Sequence, residues 1–186
     1  MKIATISDTH GRHKEIDIPS GVDIILCAGD ISGRGNAFEI EDFMLWYGNL
    51  PNKYKVMIAG NHDWGFERDP IYYNQMAAQY GIVLLNDSGI TIEGLKIWGS
   101  PVQPAFCDWA FNRARAPMHN TPHCAGHDPI EPHWDMIPND TDIIITHGPA
   151  YGFVDTVAYG GNHVGCEYLA KRVGEIQPLK HVSGHI

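Results

Sequence analysis

The sequence has 186 residues, with 13 Lys plus Arg, 22 Asp plus Glu and 11 His, and a formal charge of -9. Its 44% hydrophobic content is sufficient for a folded core and excludes a disordered chain. The acidic balance excludes broad electrostatic binding to duplex nucleic acid or to anionic membranes, because such binding needs clustered Lys and Arg. Domains commonly contain about 100 to 200 residues, so we expect residues 1–186 to form a single domain.

Cysteine spacing and hydropathy predict a cytoplasmic protein. The four Cys residues are far apart and form no CxxC pair, as expected for reduced thiols (Cys27, Cys107, Cys124 and Cys166). No apolar stretch approaches the roughly 18 residues that a membrane span needs, and no signal segment precedes the first apolar run. We therefore expect no membrane partner.

Short apolar runs rich in Val, Ile and Leu predict five buried strands. These runs cover residues 2–6, 22–27, 55–59, 142–146 and 181–183. Periodicity and end signals predict three helices, over residues 37–49, 70–80 and 163–175. The alternation of apolar residues across residues 90–98, around Glu93-Gly94, predicts a β-hairpin. The chain is therefore expected to form an α/β fold with a mixed sheet.

Residues 101–138 differ from the rest of the chain, because they contain seven Pro and show no sustained periodicity. Loops longer than about 12 to 15 residues are usually functional or disordered, and the aromatic residues here favour order. We expect an ordered loop near the functional site. Five of its residues either form a separate zinc-like site or, as we favour, include one or two that line the entrance to the main site (His119, His123, Cys124, His127 and His133).

Polar residues follow the ends of the predicted strands. In chain order they are Asp8-Thr9-His10, Gly29-Asp30, Gly60-Asn61-His62-Asp63, Thr146-His147 and Gly184-His185. Ligands of α/β proteins bind beyond the carboxyl ends of the strands, so these residues should converge. Carboxylate, imidazole and amide groups form a mixed ligand set that suits Mn, Fe, Co, Ni or Zn better than Ca or Mg. Two such ions need a bridging carboxylate, and Asp30 is the natural bridge.

The motifs DxH, GD, GNHD, a lone His before Gly-Pro and a terminal GH, in this order, resemble the calcineurin-like metallophosphoesterases. Several segments are most similar to the branch that contains the brain-expressed metallophosphoesterase-domain proteins and their bacterial and phage relatives (ISDTH, CAGD, KVMIAGNHD, IWGSPVQP, ITHGPAYGFVD and VGCEYL). The resemblance extends from residue 8 to the last residues of the chain. It implies a mixed-sheet α/β sandwich of the type found in that family.

The same resemblance implies a centre of two divalent transition metal ions, with Mn preferred and Fe, Zn, Co or Ni as alternatives. Asp30 would bridge the two ions. Asp8 and His10 would hold the first ion, and three further residues would hold the second (Asn61, His147 and His185).

The resemblance also implies a catalytic role for the GNHD motif. His62 would contact the phosphate or protonate the leaving oxygen, and Asp63 would orient the His62 imidazole. Asn61 would contact the substrate as well. A metal-bound hydroxide would attack a small phosphodiester, with 2′,3′-cyclic nucleotides favoured. A phosphomonoesterase and a weakly active or inactive regulatory module that binds metal and nucleotide are the alternatives.

One motif departs from the family pattern, which ends in GHxH. The final His would be residue 187, beyond Ile186. Three interpretations remain open: the sequence is shortened, the first metal site is weakened, or the Ile186 carboxylate or a partner's side chain fills the position. This departure keeps the regulatory module open.

Other residues offer less specific signals. Arg113 and Arg115 either hold a second phosphate oxygen through their guanidinium groups or form a solvated charge pair. Three aromatic residues could stack on a nucleobase, although packing within the loop is favoured (Phe106, Trp109 and Phe111). The His residues outside the motifs are expected to be ordinary surface or capping residues (His13, His163 and His181).

Overall fold

The computed structural model describes residues 1–115, 126–158 and 160–186. Its strands are β1 (Ile3–Ile6), β2 (Ile24–Cys27), β3 (Tyr54–Met57), β4 (Val83–Leu84), β5 (Ser88–Ile92), β6 (Leu95–Ser100), β7 (Gln103–Pro104), β8 (Asn112–Arg113), β9 (Ile143–Thr146) and β10 (Lys180–Val182). Its α-helices are α1 (Ala37–Gly48), α2 (Trp64–Arg68), α3 (Pro70–Gln79), α4 (Glu131–Asp135) and α5 (Glu167–Ile176).

The main strands form two four-stranded sheets. One sheet is parallel throughout, in the order β1-β2-β3-β4. The other has the order β10-β9-β6-β5 and is mixed. The β5–β6 pair is antiparallel, whereas the β6–β9 and β9–β10 pairs are parallel. Strands β7 and β8 form a separate parallel pair. The expected α/β fold with a mixed sheet and the predicted hairpin are therefore confirmed.

Side-chain alternation along the buried strand β2 explains why the sheets form a sandwich. Ile24 and Leu26 lie in a core cluster with Ile97 and Ile145 of the mixed sheet. Ile25 and Cys27 point to the opposite face, into a cluster that includes side chains of α1 and α3. A third cluster packs the outer face of the mixed sheet against Trp134 of α4 and Leu169 of α5. The layers thus run helix, sheet, sheet, helix.

Helix ends follow local sequence signals. The side chain of Asn36 accepts a hydrogen bond from the Glu39 backbone N–H, which caps α1. Asp69 caps α3 in the same way through the Tyr72 N–H, and Pro70 occupies the first turn, where no N–H is needed. Helix α5 begins at Glu167, four residues after its predicted start at His163. The reason is that Cys166 is extended and forms a bridge with Ala150.

The Pro-rich segment of residues 101–138 contains more regular structure than we expected. Its described part includes the β7–β8 pair and the short helix α4, whose Trp134 is buried. His119, His123 and Cys124 lie outside the described residues. None of the described helices has both the length and the apolar content to span a lipid bilayer.

Candidate metal centre

The loops that follow β1, β2, β3, β9 and β10 meet at one end of the sandwich. Backbone hydrogen bonds join them, from Asp8 N to Gly29 O at 2.9 Å and from Gly184 N to His147 O at 3.0 Å. A pocket of about 630 Å³ opens between these loops, and most of the predicted site residues line it (Asp8, His10, Asp30, Asn61, His62 and His185). His147 lies beneath the pocket and is fully buried.

Three His side chains of the site share one hydrogen-bonding pattern. In each, Nδ1 lies within hydrogen-bond distance of a backbone carbonyl oxygen (His10 and Ser32 at 3.2 Å, His62 and Gly33 at 2.6 Å, His147 and Ala28 at 2.8 Å). Because a carbonyl oxygen only accepts hydrogen bonds, Nδ1 must carry the proton. A ring that carries its proton on Nδ1 in this way can offer the Nε2 lone pair to a metal ion, which is the usual arrangement of metal-binding histidines.

The carboxylate of Asp30 lies at the centre of these rings. Its Oδ2 atom is 3.3 Å from His147 Nε2, 3.8 Å from His10 Nε2 and 3.9 Å from His62 Nε2. The other oxygen, Oδ1, accepts a hydrogen bond from the His62 backbone N–H at 2.8 Å. One carboxylate oxygen is thus fixed by the backbone. The other lies between His147 on one side and His10 and His62 on the other, which suits a ligand that bridges two ions.

The surroundings of His147 fit a bound cation. Its Nε2 atom is 2.8 Å from Asn61 Oδ1 and 3.3 Å from Asp30 Oδ2, and all three side chains are at least 98% buried. Two oxygen acceptors therefore face Nε2 of a buried imidazole. A cation between these atoms satisfies all three, so the donor set fits a divalent metal ion of the borderline class.

Among the described residues, two groups of His and acidic side chains are close enough to share an ion. One contains His10, Asp30 and His62, and the other contains Asp30, His147 and His185. Asp30 belongs to both groups. Asp8 belongs to neither group; its two carboxylate oxygens lie 3.0 and 3.1 Å from the His185 backbone N–H, and its side chain lines the pocket.

Four site residues have a left-handed backbone conformation, with φ values of 53° at Asp8, 44° at His10, 54° at Asp30 and 75° at His185. Asp and His are among the few residues other than Gly that adopt this region with some frequency. Such strain persists only where the surrounding structure enforces it, and it is often found at functional sites. Four of the ten described residues other than Gly that have a positive φ therefore lie at this site.

Burial and charge shift the pKa values of the site in different directions. Burial raises the pKa of Asp30, but the hydrogen bond and charge of His147 outweigh this effect and leave the pKa below its usual range. Burial alone would lower the pKa of His147, yet the contacts with Asp30 leave it raised. Burial, reinforced by the charge of His147, lowers the pKa of His185 to about 4. The three groups therefore behave as one coupled cluster.

The prediction that Asp63 orients the His62 ring is wrong. The Asp63 carboxylate is fully buried and accepts hydrogen bonds from Gly60 N at 2.8 Å and from Ser32 N at 3.0 Å and Ser32 Oγ at 2.7 Å. Burial and the charge of Asp30 raise its pKa to about 6. The His62 ring is held instead by the Gly33 carbonyl. Asp63 therefore fixes the loops that carry Asp30 and Asn61.

An aromatic residue of the Pro-rich segment covers His62. The Trp109 ring stacks on the imidazole with ring centroids 4.1 Å apart. The neighbouring Ala110 donates its N–H to the Asn61 carbonyl oxygen at 3.1 Å, which attaches this segment to the GNHD motif. Phe106 also lines the pocket, whereas Phe111 is buried in the core. The segment therefore forms a wall of the site, as expected.

The two arginines occupy different places. Arg115 lines the pocket, but its guanidinium donates to the carbonyl oxygens of Val164 and Gly165 and pairs with Glu167. Arg113 is absent from the pocket wall and contacts His133. The structure therefore brings only Arg115 to the site.

The remaining His residues also differ from expectation. His133 binds Asp87 through Nδ1, and neither His133 nor His127 lines the pocket or joins a metal-capable group of described residues. His13 is not a surface residue but is 1% exposed, packed against Phe43. His163, which we expected to be incidental, lines the pocket. No motif marks His163, because its place in the site depends on the fold of its own irregular loop, which connects β9 to α5.

The protein is an α/β sandwich with a mixed nitrogen and oxygen donor set beyond its strand ends, an arrangement that suits a metal centre. The family model described as calcineurin-like phosphoesterase matches residues 1–186. The chain therefore belongs to the calcineurin-like phosphoesterase family. The general reaction of this family is metal-dependent hydrolysis of phosphoesters.

Similar proteins agree with this assignment. The chain is 36% identical over 207 residues to metallophosphoesterase domain-containing protein 1 of Homo sapiens, covering 100% of the chain and 60% of that protein. It is 32% identical over 198 residues to a UPF0046 protein of Caenorhabditis elegans, covering 100% of the chain and 63% of that protein. The chain thus spans less than two thirds of the length of these relatives.

Solved structures show the same fold at low sequence identity. The phosphopantetheinyl hydrolase PptH from Mycobacterium tuberculosis superposes with a TM-score of 0.62 and 18% identity, over 99% of this chain and 82% of that one. A protein of Thermus thermophilus gives a TM-score of 0.60 and 14% identity, over 97% of this chain and 80% of that one.

Proposed function

We propose that this protein is a binuclear metal-dependent phosphodiesterase that acts on small esters such as cyclic nucleotides. The observation that carries the proposal is the position of Asp30 Oδ2, which faces the Nε2 atoms of His10, His62 and His147. Each of these rings has its Nδ1 proton committed to a carbonyl oxygen. Family membership supports the general reaction, and the wide pocket supports a substrate with an organic substituent.

Asp30 would bridge the two ions in this centre. Asp8 and His10 would complete one side, and the second ion would have three further ligands (Asn61, His147 and His185). When bound, the two ions would activate water and neutralise the charge on the phosphoryl group. We propose Mn²⁺ as the preferred ion on the family resemblance, and the mixed carboxylate and imidazole set also admits Fe, Co, Ni or Zn.

The chain's own residues have two tasks in this reaction. His62 would direct Nε2 at the phosphoryl group, because Gly33 holds its Nδ1 and Trp109 restricts its ring. Asp63 would keep Asp30 and Asn61 in register by binding the backbone of both loops. With Nδ1 held by Gly33, a His62 ring that also carries a proton on Nε2 would donate a hydrogen bond from Nε2 to a phosphoryl oxygen, or transfer that proton to the leaving oxygen.

Hydrolysis of bis-p-nitrophenyl phosphate with added Mn²⁺ tests this function. We expect metal-dependent turnover in the wild-type protein and a loss of about 100-fold or more in His62→Ala. His127→Ala is the matched control, because His127 is exposed and lies outside the pocket wall. A faster reaction with p-nitrophenyl phosphate would favour a phosphomonoesterase. Nucleotide binding without turnover would favour a regulatory module.

A further inference from the structure

His163 lies on the pocket wall outside the proposed metal ligands. It lines the same pocket as His10 and His185, and its side chain is 48% exposed. Within the described part of the chain it belongs to neither group of side chains that could share an ion. Its position therefore suits contact with a molecule that enters the pocket, rather than with a metal ion.

A buried carboxylate fixes the His163 ring. Asp155 is 1% exposed, and its Oδ1 atom lies 2.6 Å from His163 Nδ1. Its Oδ2 atom accepts hydrogen bonds from the backbone N–H groups of Gly152 at 2.9 Å and Gly165 at 3.1 Å. Because these donors stabilise the ionised carboxylate, Nδ1 of His163 carries its proton toward Asp155. Within the described ranges, Nε2 has no hydrogen-bond partner and is available to a bound molecule.

The backbone around this pair is shaped to hold it. Thr156 and His163 form an antiparallel bridge, and Val164 donates its N–H to the Asp155 carbonyl at 3.0 Å. Val154, directly before Asp155, has a φ of 53° although it is β-branched, and it is 91% exposed. A strained conformation with no packing of its own indicates that the segment is constrained by its neighbours. Asp155 provides that constraint through its hydrogen bonds.

The polarity of the residues around His163 indicates which part of a substrate this side of the pocket would contact. Arg115 donates to the carbonyls of Val164 and Gly165, and its charge is offset by Glu167, so it supports the segment that carries His163. Other residues of this side of the pocket are apolar (Pro149, Val157 and Val164). His163 therefore offers a polar atom on a wall suited to the organic part of an ester.

We propose that His163, held by Asp155, is a substrate-contacting residue that hydrogen-bonds through Nε2 to a polar group of the organic substituent on the phosphate. The inference rests on the proposed function and deepens it, because it names the substrate class. Esters of alcohols that carry hydroxyl or amide groups, as nucleosides do, are preferred over simple alkyl or aryl esters. Asp155 is a positioning residue.

Equilibrium binding separates this role from catalysis. Thymidine 5′-phosphate and inorganic phosphate are titrated calorimetrically into the Mn²⁺-loaded protein, so the two ligands differ only in the organic part. His163→Ala is expected to weaken nucleotide binding about tenfold, the value of roughly one hydrogen bond, and to leave phosphate binding within about twofold. His163→Gln, which keeps a polar side chain at this place, should recover part of the loss.

Two further variants control for structural effects. His127→Ala should bind both ligands like the wild type. Asp155→Asn should reproduce the selective loss of nucleotide binding while phosphate binding is retained, which a general loss of structure would not produce. Unfolding temperatures of all variants verify that they are folded.

Equal weakening of both ligands, no weakening of either, or a wild-type protein that binds the nucleotide no more tightly than phosphate would overturn the inference. These outcomes are independent of turnover. Hydrolysis of bis-p-nitrophenyl phosphate by the wild type, measured separately, decides the proposed function.

Discussion

The Nε2 atom of His147 and the Oδ1 atom of Asn61 lie 2.8 Å apart, although the residues are 86 positions apart in the sequence. Asn61 follows β3 of the parallel sheet, and His147 follows β9 of the mixed sheet. The contact therefore joins the two layers of the sandwich at the site. An ion bound there would bind to both sheets at once and should stabilise the folded protein.

Metal binding should therefore raise the unfolding temperature. At an Mn²⁺ concentration of about 100 times Kd, we expect roughly 2.7 kcal/mol of stabilisation. For a chain of this size that corresponds to about 5 to 10 °C by calorimetry. His147→Ala and Asn61→Ala should abolish most of the increase, whereas the exposed-residue control His127→Ala should keep it. An equal Mn²⁺ effect in all four proteins would show that the ion binds elsewhere.

Gly60→Ala should disrupt the site by steric conflict. A Cβ atom at this position would lie 2.3 Å from Asp30 Oδ1, 2.4 Å from Asp30 N and 2.7 Å from His147 Cε1. These groups cannot move without displacing the proposed bridging carboxylate, so we expect at least a tenfold loss of Mn²⁺ affinity. The measurement is calorimetric titration with Mn²⁺.

Gly174→Ala is the matched control for this substitution. Gly174 lies in α5, and apart from its sequence neighbours and the backbone of the helix, no atom of the described residues lies within 4 Å of an added Cβ atom. Because Ala favours helix more than Gly does, we expect a gain of about 0.5 to 1 kcal/mol in stability and unchanged Mn²⁺ affinity. Normal Mn²⁺ binding by Gly60→Ala would refute the steric argument.

Asp63→Ala should lower the stability of the folded protein strongly. The substitution removes the acceptor of the Gly60, Ile31 and Ser32 backbone N–H groups in a fully buried place. Leaving such donors unpaired should reduce the free energy of unfolding by roughly 3 kcal/mol or more. Urea denaturation measures the effect. Asp63→Asn, which retains one acceptor oxygen, should be less severe.

Asp140→Asn provides the surface comparison for Asp63. The Asp140 carboxylate is exposed and pairs with the exposed Lys96, so its loss should change the urea midpoint little. Similar effects of Asp63→Asn and Asp140→Asn would contradict the structural role given to Asp63.

His181 should make stability depend on pH. Burial lowers its pKa from 6.5 to about 4, and its Nε2 atom lies 2.8 Å from Thr146 Oγ1. Between these two values the unfolded chain binds more protons than the folded protein does. The free energy of unfolding should therefore rise as pH increases from about 4 to about 6.5. Urea denaturation at several pH values, with EDTA present, measures this slope.

His181→Gln isolates this contribution, because Gln keeps a polar side chain near Thr146 but does not titrate. We expect a shallower slope in the variant, since His185 and other groups still titrate. Identical slopes for the two proteins would show that His181 does not supply the effect.

Much of the fold and site was predictable because the signals are local. Each of the apolar runs ends in polar motif residues, and parallel strands place their carboxyl ends at one edge. Asp8, Asp30 and Asn61 therefore had to approach one another once the strands were identified. The strand bounds differ by only one or two residues from those predicted, since hydrogen bonding rather than hydropathy decides where a strand ends.

The roles of Asp63 and His163 were not predictable, because they depend on loop geometry. Asp63 stands next to His62 in the sequence, yet its carboxylate turns to the backbone of Ser32. His163 lies within a predicted helix, but its bridge to Thr156 keeps it extended and places it on the pocket wall. Neither contact has a sequence signature, because the first joins two separate loops and the second depends on the irregular fold of the single loop between β9 and α5.

The hydrogen bonds between the Asp8 carboxylate and the His185 backbone connect residues separated by 177 positions. The first strand of one sheet and the last strand of the other must therefore be in place before the site exists. An ion held by these loops would cross-link two parts of the chain that are far apart in the sequence. Separating these two parts would require release of the ion. Unfolding of the loaded protein should thus be limited by metal dissociation, so that the rate of unfolding reports how fast the centre releases its ion.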